Sequence, residues 1–313
     1  MTLGQVIDAY VALQRARGVR FKGGRALLNQ FRREMGDPLI ADVSAEAVVI
    51  FLQGRGVLSA TWALKYRVLS GLYRFAISRD HVNASPLPMT IPKLPPQQPP
   101  YVYSNDELRR LLAATTSLHV AHSPLRAPMY RTLLLLLYGS GLRIGEALRL
   151  TLRDVDLVER LITVRDTKFY KSRLVPVGPK LASALATFVA LRRRHPSPDG
   201  EESRFFTTRA GRGCCYQAIN AVFQRLRGAA RIGCPSGERR PPRLHDLRHT
   251  AAVHRVIAWY RSGQDVQRLL PQLATYLGHR DLKSTQRYLQ MTPELLHEAS
   301  QLFARYSQWG QPS

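Results

Sequence analysis

The sequence predicts a two-domain chain. An all-α N-terminal domain comes first, and a mixed α+β, mainly helical domain with a small antiparallel sheet follows. Three observations predict it. Residues 85–100 read SPLPMTIPKLPPQQPP, with seven prolines; proline fixes φ and removes a donor, which excludes a helix interior or a central strand. Four amphipathic segments precede that stretch. After it, helical patterns are interrupted by one β-rich run, VDLVERLITVRDTKFYKSRLVPVG. The boundaries expected are a helical domain over 1–85, a linker over 86–102 and a second domain over 103–313.

In the first domain, TLGQVIDAYVALQRARG is one amphipathic helix. GGRALLNQFRREMG is a second, ended by Gly36, and SAEAVVIFLQGRG a third, with Ser44 as its N-cap. SATWALKYRVLSGLYRFAISRD is the longest. Its residues Trp62, Tyr66, Leu69 and Tyr73 recur at helical spacing and face the core. Lys65, Arg67 and Arg74 lie off that stripe. They form either a solvated face or a basic face that sits against a DNA groove.

The second domain opens on a capping box, Ser104 three residues before Glu107. MYRTLLLLLYGSGLRIGEALRL reads as helix, turn, helix, and its apolar core is too short to span a membrane. The β-rich run forms short strands joined by a polar turn and a basic loop. KLASALATFVALRRR, CCYQAINAVFQRLRGAA and RLHDLRHTAAVHRVIAWYR return to helix.

Composition narrows the partner. The 313 residues carry 46 Lys and Arg against 22 Asp and Glu, a formal charge of +24. The excess runs through the chain: 13 basic and 6 acidic residues in 1–100, 33 and 16 in 101–313. A field of that sign favours a polyanion, nucleic acid first. Three cysteines, Cys214, Cys215 and Cys234, make neither a disulfide framework nor a zinc ligand set and suit a reducing compartment. The N-terminus lacks a signal peptide's apolar core. A cytoplasmic protein with no membrane segment is expected.

Four stretches carry chemistry. The glycines of GSGLRIGEAL do not fit GxGxxG and follow no strand, which disfavours a dinucleotide site. The stretch is better read as a tight turn presenting Arg143 at a helix start, where a guanidinium fork can hold phosphate. DTKFYKSRLVPV puts Lys168, Lys171 and Arg173 in a hairpin whose lysine could donate a proton to a leaving oxygen. In HDLRHTAAVH, His245 and Arg248 are three apart and share a helix face. His245 and His249 do too, but HDLRH lacks the glutamate of HExxH, so a His–Arg pair on one phosphate is the better chemical idea. Last, LGHRDLKSTQRYL sets His279 nine residues before Tyr288, with a polar, basic stretch between them.

In this order, Arg in GLRIGEAL, Lys in a basic hairpin, HxxR, LGH and a tyrosine nine residues later, the set resembles the tyrosine recombinase (phage integrase) family. The resemblance covers about residues 103–310 and extends loosely to the helical half, which looks like that family's SAM-like core-site DNA-binding domain. It implies a site-specific recombinase, acting in integration, excision or transposition of a mobile element, with double-stranded DNA as partner and no cofactor or metal. Tyr288 would be the nucleophile, forming a 3′-phosphotyrosyl link and releasing a 5′-hydroxyl. Arg143 and Arg248 would hold the non-bridging oxygens, with His279 hydrogen-bonding the same phosphate. His245 would orient the tyrosine and take its proton. Lys168, eight residues before Pro176, would protonate the leaving oxygen.

Beyond Tyr288, TPELLHEASQLFARY reads as a capped helix with an apolar stripe from Leu295 to Tyr306. It packs on its own domain or, as the resemblance implies, docks on a neighbour in a homo-tetramer on two duplexes. Two departures stand out. The stretch between HDLRH and LGH is long and resembles recombinases of transposons and multi-recombinase elements, so sister recombinases are possible partners. The core-binding-like domain starts almost at Met1, leaving no room for a separate arm-site domain. The rival readings are a type IB topoisomerase-like strand transferase and an accessory DNA-binding recombinase that needs partners.

Overall fold

The computed structural model describes residues 1–19, 21–54, 56, 58–95, 99–165, 172–195, 200–208, 210–234, 241–278 and 300. It divides into two compact units, Met1–Gln98 and Pro99–Ser313.

The first unit holds four helices: α1 (Leu3–Ala16), α2 (Lys22–Met35), α3 (Ala45–Gln53) and α4 (Ala60–Ile77). Their ends follow local chemistry. Thr2 and Gln5 form a capping box at the start of α1, and Ser44 and Ser59 accept backbone amides at the starts of α3 and α4. Gly36, in the left-handed region, stops α2. Leu3, Leu28, Phe31, Phe51, Leu69 and Tyr73 are fully buried between the helices. The Phe31 and Phe51 rings lie 4.8 Å apart.

Lys65 corrects the sequence reading. It is buried, its Nζ donates to the Phe51 carbonyl, and it lies 4.2 Å from the centre of the Phe51 ring. The physical reason is the length of its stem, which carries the ammonium back to the carbonyl-rich end of α3, where positive charge is favoured. Arg67 and Arg74 are exposed.

The second unit is mainly helical with one small sheet. Its helices are α5 (Asn105–Ala114), α6 (Arg126–Ser140), α7 (Ile144–Ala147), α8 (Pro179–Arg193), α9 (Tyr216–Ala229), α10 (Asp246–Arg261) and α11 (Val266–Leu277). The strands β1 (Val155–Asp156), β2 (Leu161–Val164) and β3 (Arg173–Pro176) pair antiparallel in the order β1-β2-β3. Helix α6 is apolar on nearly all sides, as a central helix must be; Met129, Leu133, Leu134, Leu136 and Leu137 are all buried. It packs against α8 and α10. The register sets Ile162 opposite Val175 and Val164 opposite Arg173. The first pair points into the core, and Arg173 is thereby held at a fixed place on the edge strand. The long stretch after HDLRH becomes the end of α10, a turn at Gly263 and all of α11, which Asp265 caps.

Candidate active site

The site is built where three chain turns meet. Helix α6 ends at Gly141 with φ +62, and a Cβ there would lie 2.6 Å from Leu277 Cδ2. A side chain here would be strained and would have to displace the Leu277 methyl; the turn delivers Arg143 to the N-cap of the short α7. Glu146, one turn on, reaches back: Oε2 accepts the Arg143 amide at 3.0 Å, and Oε1 accepts Arg143 Nη1 at 2.9 Å. The Arg143 fork then donates through Nη2 to the Gly278 carbonyl at 3.0 Å.

The hairpin supplies a second guanidinium. Arg173, from β3, donates Nη1 to Glu146 Oε1 at 3.2 Å and Nη2 to Oε2 at 2.9 Å. Glu146 is 5% exposed. Burial alone would push its pKa up. The hydrogen bonds and charge of Arg173, with the amide and charge of Arg143, overcome burial and hold it at about 2. One buried carboxylate therefore fixes two arginines from different elements.

Helix α10 supplies the third. His245 is its N-cap, and Arg248 lies within the first turn. Arg248 is 2% exposed; Nη1 donates to the Gly141 carbonyl at 2.5 Å and Nη2 to the Leu277 carbonyl at 2.6 Å. These carbonyls sit at the C-terminal ends of α6 and α11, where the helix dipole favours a cation. His245 is solvent-accessible. Desolvation, then the charges of Arg248, Arg243 and Arg143, lower its pKa against the opposing pull of Asp246. Protonation of the ring is therefore disfavoured in the fold.

Of the six residues expected from the sequence, Arg143, His245 and Arg248 are brought together. Arg143 and Arg248 converge on Leu277 and Gly278. Lys168, His279 and Tyr288 lie outside the described residues. The same holds for the apolar stripe beyond Tyr288. His249 packs its ring edge-on against His245 at 4.8 Å, and among the described residues no group of three His, Cys, Asp or Glu could hold a metal. Among the described residues, no helix is long and apolar enough to cross a membrane.

Two residues escaped the sequence reading. Glu146 stood in the quoted motif at i+3 from Arg143, a spacing that signals a pair. Arg173 had no local signal, because its partnership with Glu146 needs the β2–β3 register. The arrangement as a whole is a cationic cradle: Arg143 and Arg173 on the Glu146 carboxylate, Arg248 on the Gly141 and Leu277 carbonyls, and the His245 imidazole beside them. Such a cradle suits a phosphodiester whose charge grows during reaction.

Comparison with known proteins agrees. The model of the phage integrase family matches residues 102–294. The integrase/recombinase y4rB, as it is called, of Sinorhizobium fredii is 32% identical over 308 residues, 97% of this chain and 98% of its own. Tyrosine recombinase XerC of Chlorobaculum parvum is 30% identical over 263 residues, 79% of this chain and 74% of its own. Among solved structures, the Tn1549 transposon integrase in complex with a circular intermediate DNA matches with a TM-score of 0.70. That match covers 98% of this chain and 99% of the other at 20% identity, a likeness of fold.

Proposed function

The chain belongs to the phage integrase family of tyrosine recombinases, and from that premise we propose how its residues divide the work. It is a site-specific DNA recombinase, and DNA is its partner. The Tyr288 hydroxyl attacks the scissile phosphorus, the bond to the 5′-oxygen breaks, and a 3′-phosphotyrosyl link forms. The bond energy is kept in that link, so a 5′-hydroxyl from the other duplex can reverse the step without ATP. His245 takes the tyrosine proton. Lys168 gives a proton to the departing 5′-oxygen. Arg143, Arg248 and His279 hold the non-bridging oxygens while negative charge builds. Glu146 keeps Arg143 and Arg173 in place.

One observation supports this reading above the rest. Arg143 and Arg248, from separate elements, both reach the two residues that directly precede His279. In this reading the first unit is the core-site DNA-binding domain, joined by the proline-rich linker to the catalytic domain over 103–313. The protein works in a prokaryotic cytoplasm as a homo-tetramer on two duplexes, or beside sister recombinases, and moves a mobile element.

The test uses two plasmids, each carrying one copy of a site selected by this chain from random duplex DNA. Exchange of flanking markers between paired sites supports recombination. Relaxation of a supercoiled single-site plasmid without exchange would replace it with the topoisomerase-like reading. Exchange that starts only when a second recombinase is added would assign the accessory role.

A further inference from the structure

The backbone before His245 is held by Tyr103 directly, and the backbone after it through Thr250. Tyr103 lies just after the linker, three residues beyond Pro100, and is fully buried. Its hydroxyl donates to the Arg243 carbonyl at 3.1 Å, two residues before His245. Its amide donates to Thr250 Oγ1 at 3.0 Å, and that hydroxyl donates to the Asp246 carbonyl at 2.8 Å, immediately after His245. Thr250 is also fully buried. The Asp246 carboxylate closes the same turn, accepting the Arg243 amide at 2.7 Å and Arg243 Nη2 at 2.8 Å. The Arg248 amide in turn donates to the His245 carbonyl at 3.1 Å.

We propose that Tyr103, acting through Thr250, is the positioning residue for the His245–Arg248 pair. Neither side chain touches the reacting atoms. The inference rests on the recombinase reading and adds to it the element that aims the pair. A rigid frame matters here because α10 starts at this turn and a helix start otherwise frays. The amide of Tyr103 needs a partner once buried, and Thr250 supplies it. The tyrosine hydroxyl stays a neutral donor, because burial and the Asp246 charge push its pKa well up. Misplacing a reacting group by about 1 Å costs up to ~100-fold in rate, so losing one tether has a measurable effect.

The experiment uses the full chain and a nicked suicide duplex bearing the site that the wild type selects from random DNA. Covalent-adduct formation is timed at saturating protein for wild type, Tyr288→Phe, Tyr103→Phe, Thr250→Val and Thr250→Ser. DNA Kd and Tm are measured on the same samples. Expected are slowing of about tenfold or more in Tyr103→Phe and Thr250→Val, Kd within twofold of wild type, and a rate near wild type in Thr250→Ser, which keeps the hydroxyl. Wild-type rates in Tyr103→Phe and Thr250→Val would overturn the proposal. So would a loss in Thr250→Ser equal to that in Thr250→Val, or losses that only track Tm and Kd, since either marks general destabilisation. The wild type is also timed with a second recombinase added; no wild-type adduct under either condition would sink the catalytic reading, and this inference with it.

Discussion

Arg173 and Glu146 face each other fork to fork, with Nη1–Oε1 at 3.2 Å and Nη2–Oε2 at 2.9 Å. The same carboxylate holds Arg143. Strand β3 and the α6–α7 turn, distant in sequence, are thus tied at a single buried charge, and Arg143 is aimed by a residue from neither the HxxR helix nor the tyrosine segment.

Glu146→Gln keeps the shape and removes the charge. Breaking a buried pair from one side costs roughly 3–5 kcal/mol, so Tm should fall clearly and adduct formation should fall further as Arg143 loses its aim. The pH dependence has a defined sign. Because the folded pKa of Glu146 is held at about 2, below its ordinary 4.5, its stabilisation is full above pH 4.5 and is lost as pH falls towards 2. Acid titration of stability in Glu146→Gln should lack that component, which urea unfolding at several pH values would measure.

Gly278→Ala tests the close approach at the end of α11. Gly278 has φ +68, and a Cβ would lie 2.9 Å from Arg173 Cζ, a group that Glu146 prevents from moving aside. Gly263 shares a positive φ, +66, with nothing within 4 Å of a Cβ. Both substitutions carry backbone strain of about 1–3 kcal/mol, but only Gly278→Ala should slow adduct formation beyond its effect on Tm. Equal behaviour of the two would remove the role given to the Arg173 contact.

The His245 ring titrates below the ordinary imidazole value of 6.5, from desolvation and then from the charge of Arg248. Protonation is therefore disfavoured in the fold, and the base form persists to lower pH. NMR titration of His245 should give a midpoint below 6.5, and Arg248→Ala should raise it. In the wild type, the acid limb of the cleavage rate should also lie below 6.5.

In the first unit, Lys65 and its neighbours on α4 separate two roles. Lys65→Met removes the donor to the Phe51 carbonyl and should lower Tm with little change in the salt dependence of DNA binding. Arg67→Ala and Arg74→Ala leave the core alone. Each that contacts a phosphate should weaken binding and reduce the slope of log K against log salt by about 0.9. Unchanged slopes in both would move the DNA contact to another face.

Much of this was legible in the sequence where the signal is local. Ser104 and Glu107 announced the start of α5, and their reciprocal bonds are present at 2.8 and 3.1 Å. Gly36, Ser44 and the apolar run of α6 marked their elements for the same reason. Motif order singled out Arg143, His245 and Arg248, and the fold sets Arg143 and Arg248 on adjacent carbonyls. What was not legible is non-local. Lys65 looked like a surface cation because periodicity does not see a stem that bends back to a neighbouring helix end. Arg173 looked like one more basic hairpin residue until strand register set it opposite Glu146. Tyr103 had no signal at all, since its partners, Arg243 just before α10 and Thr250 on it, lie far along the chain.

In the proposed reaction, DNA cleavage passes through Tyr288 and needs guanidinium charge in place of a metal. The most direct measurement incubates wild type and Tyr288→Phe with the nicked suicide duplex in EDTA and resolves the products on a denaturing gel. The expected result is a covalent protein–DNA band from wild type that is absent from Tyr288→Phe, with DNA binding equal in both. A band that persists in Tyr288→Phe, or cleavage that requires added divalent metal, would contradict it.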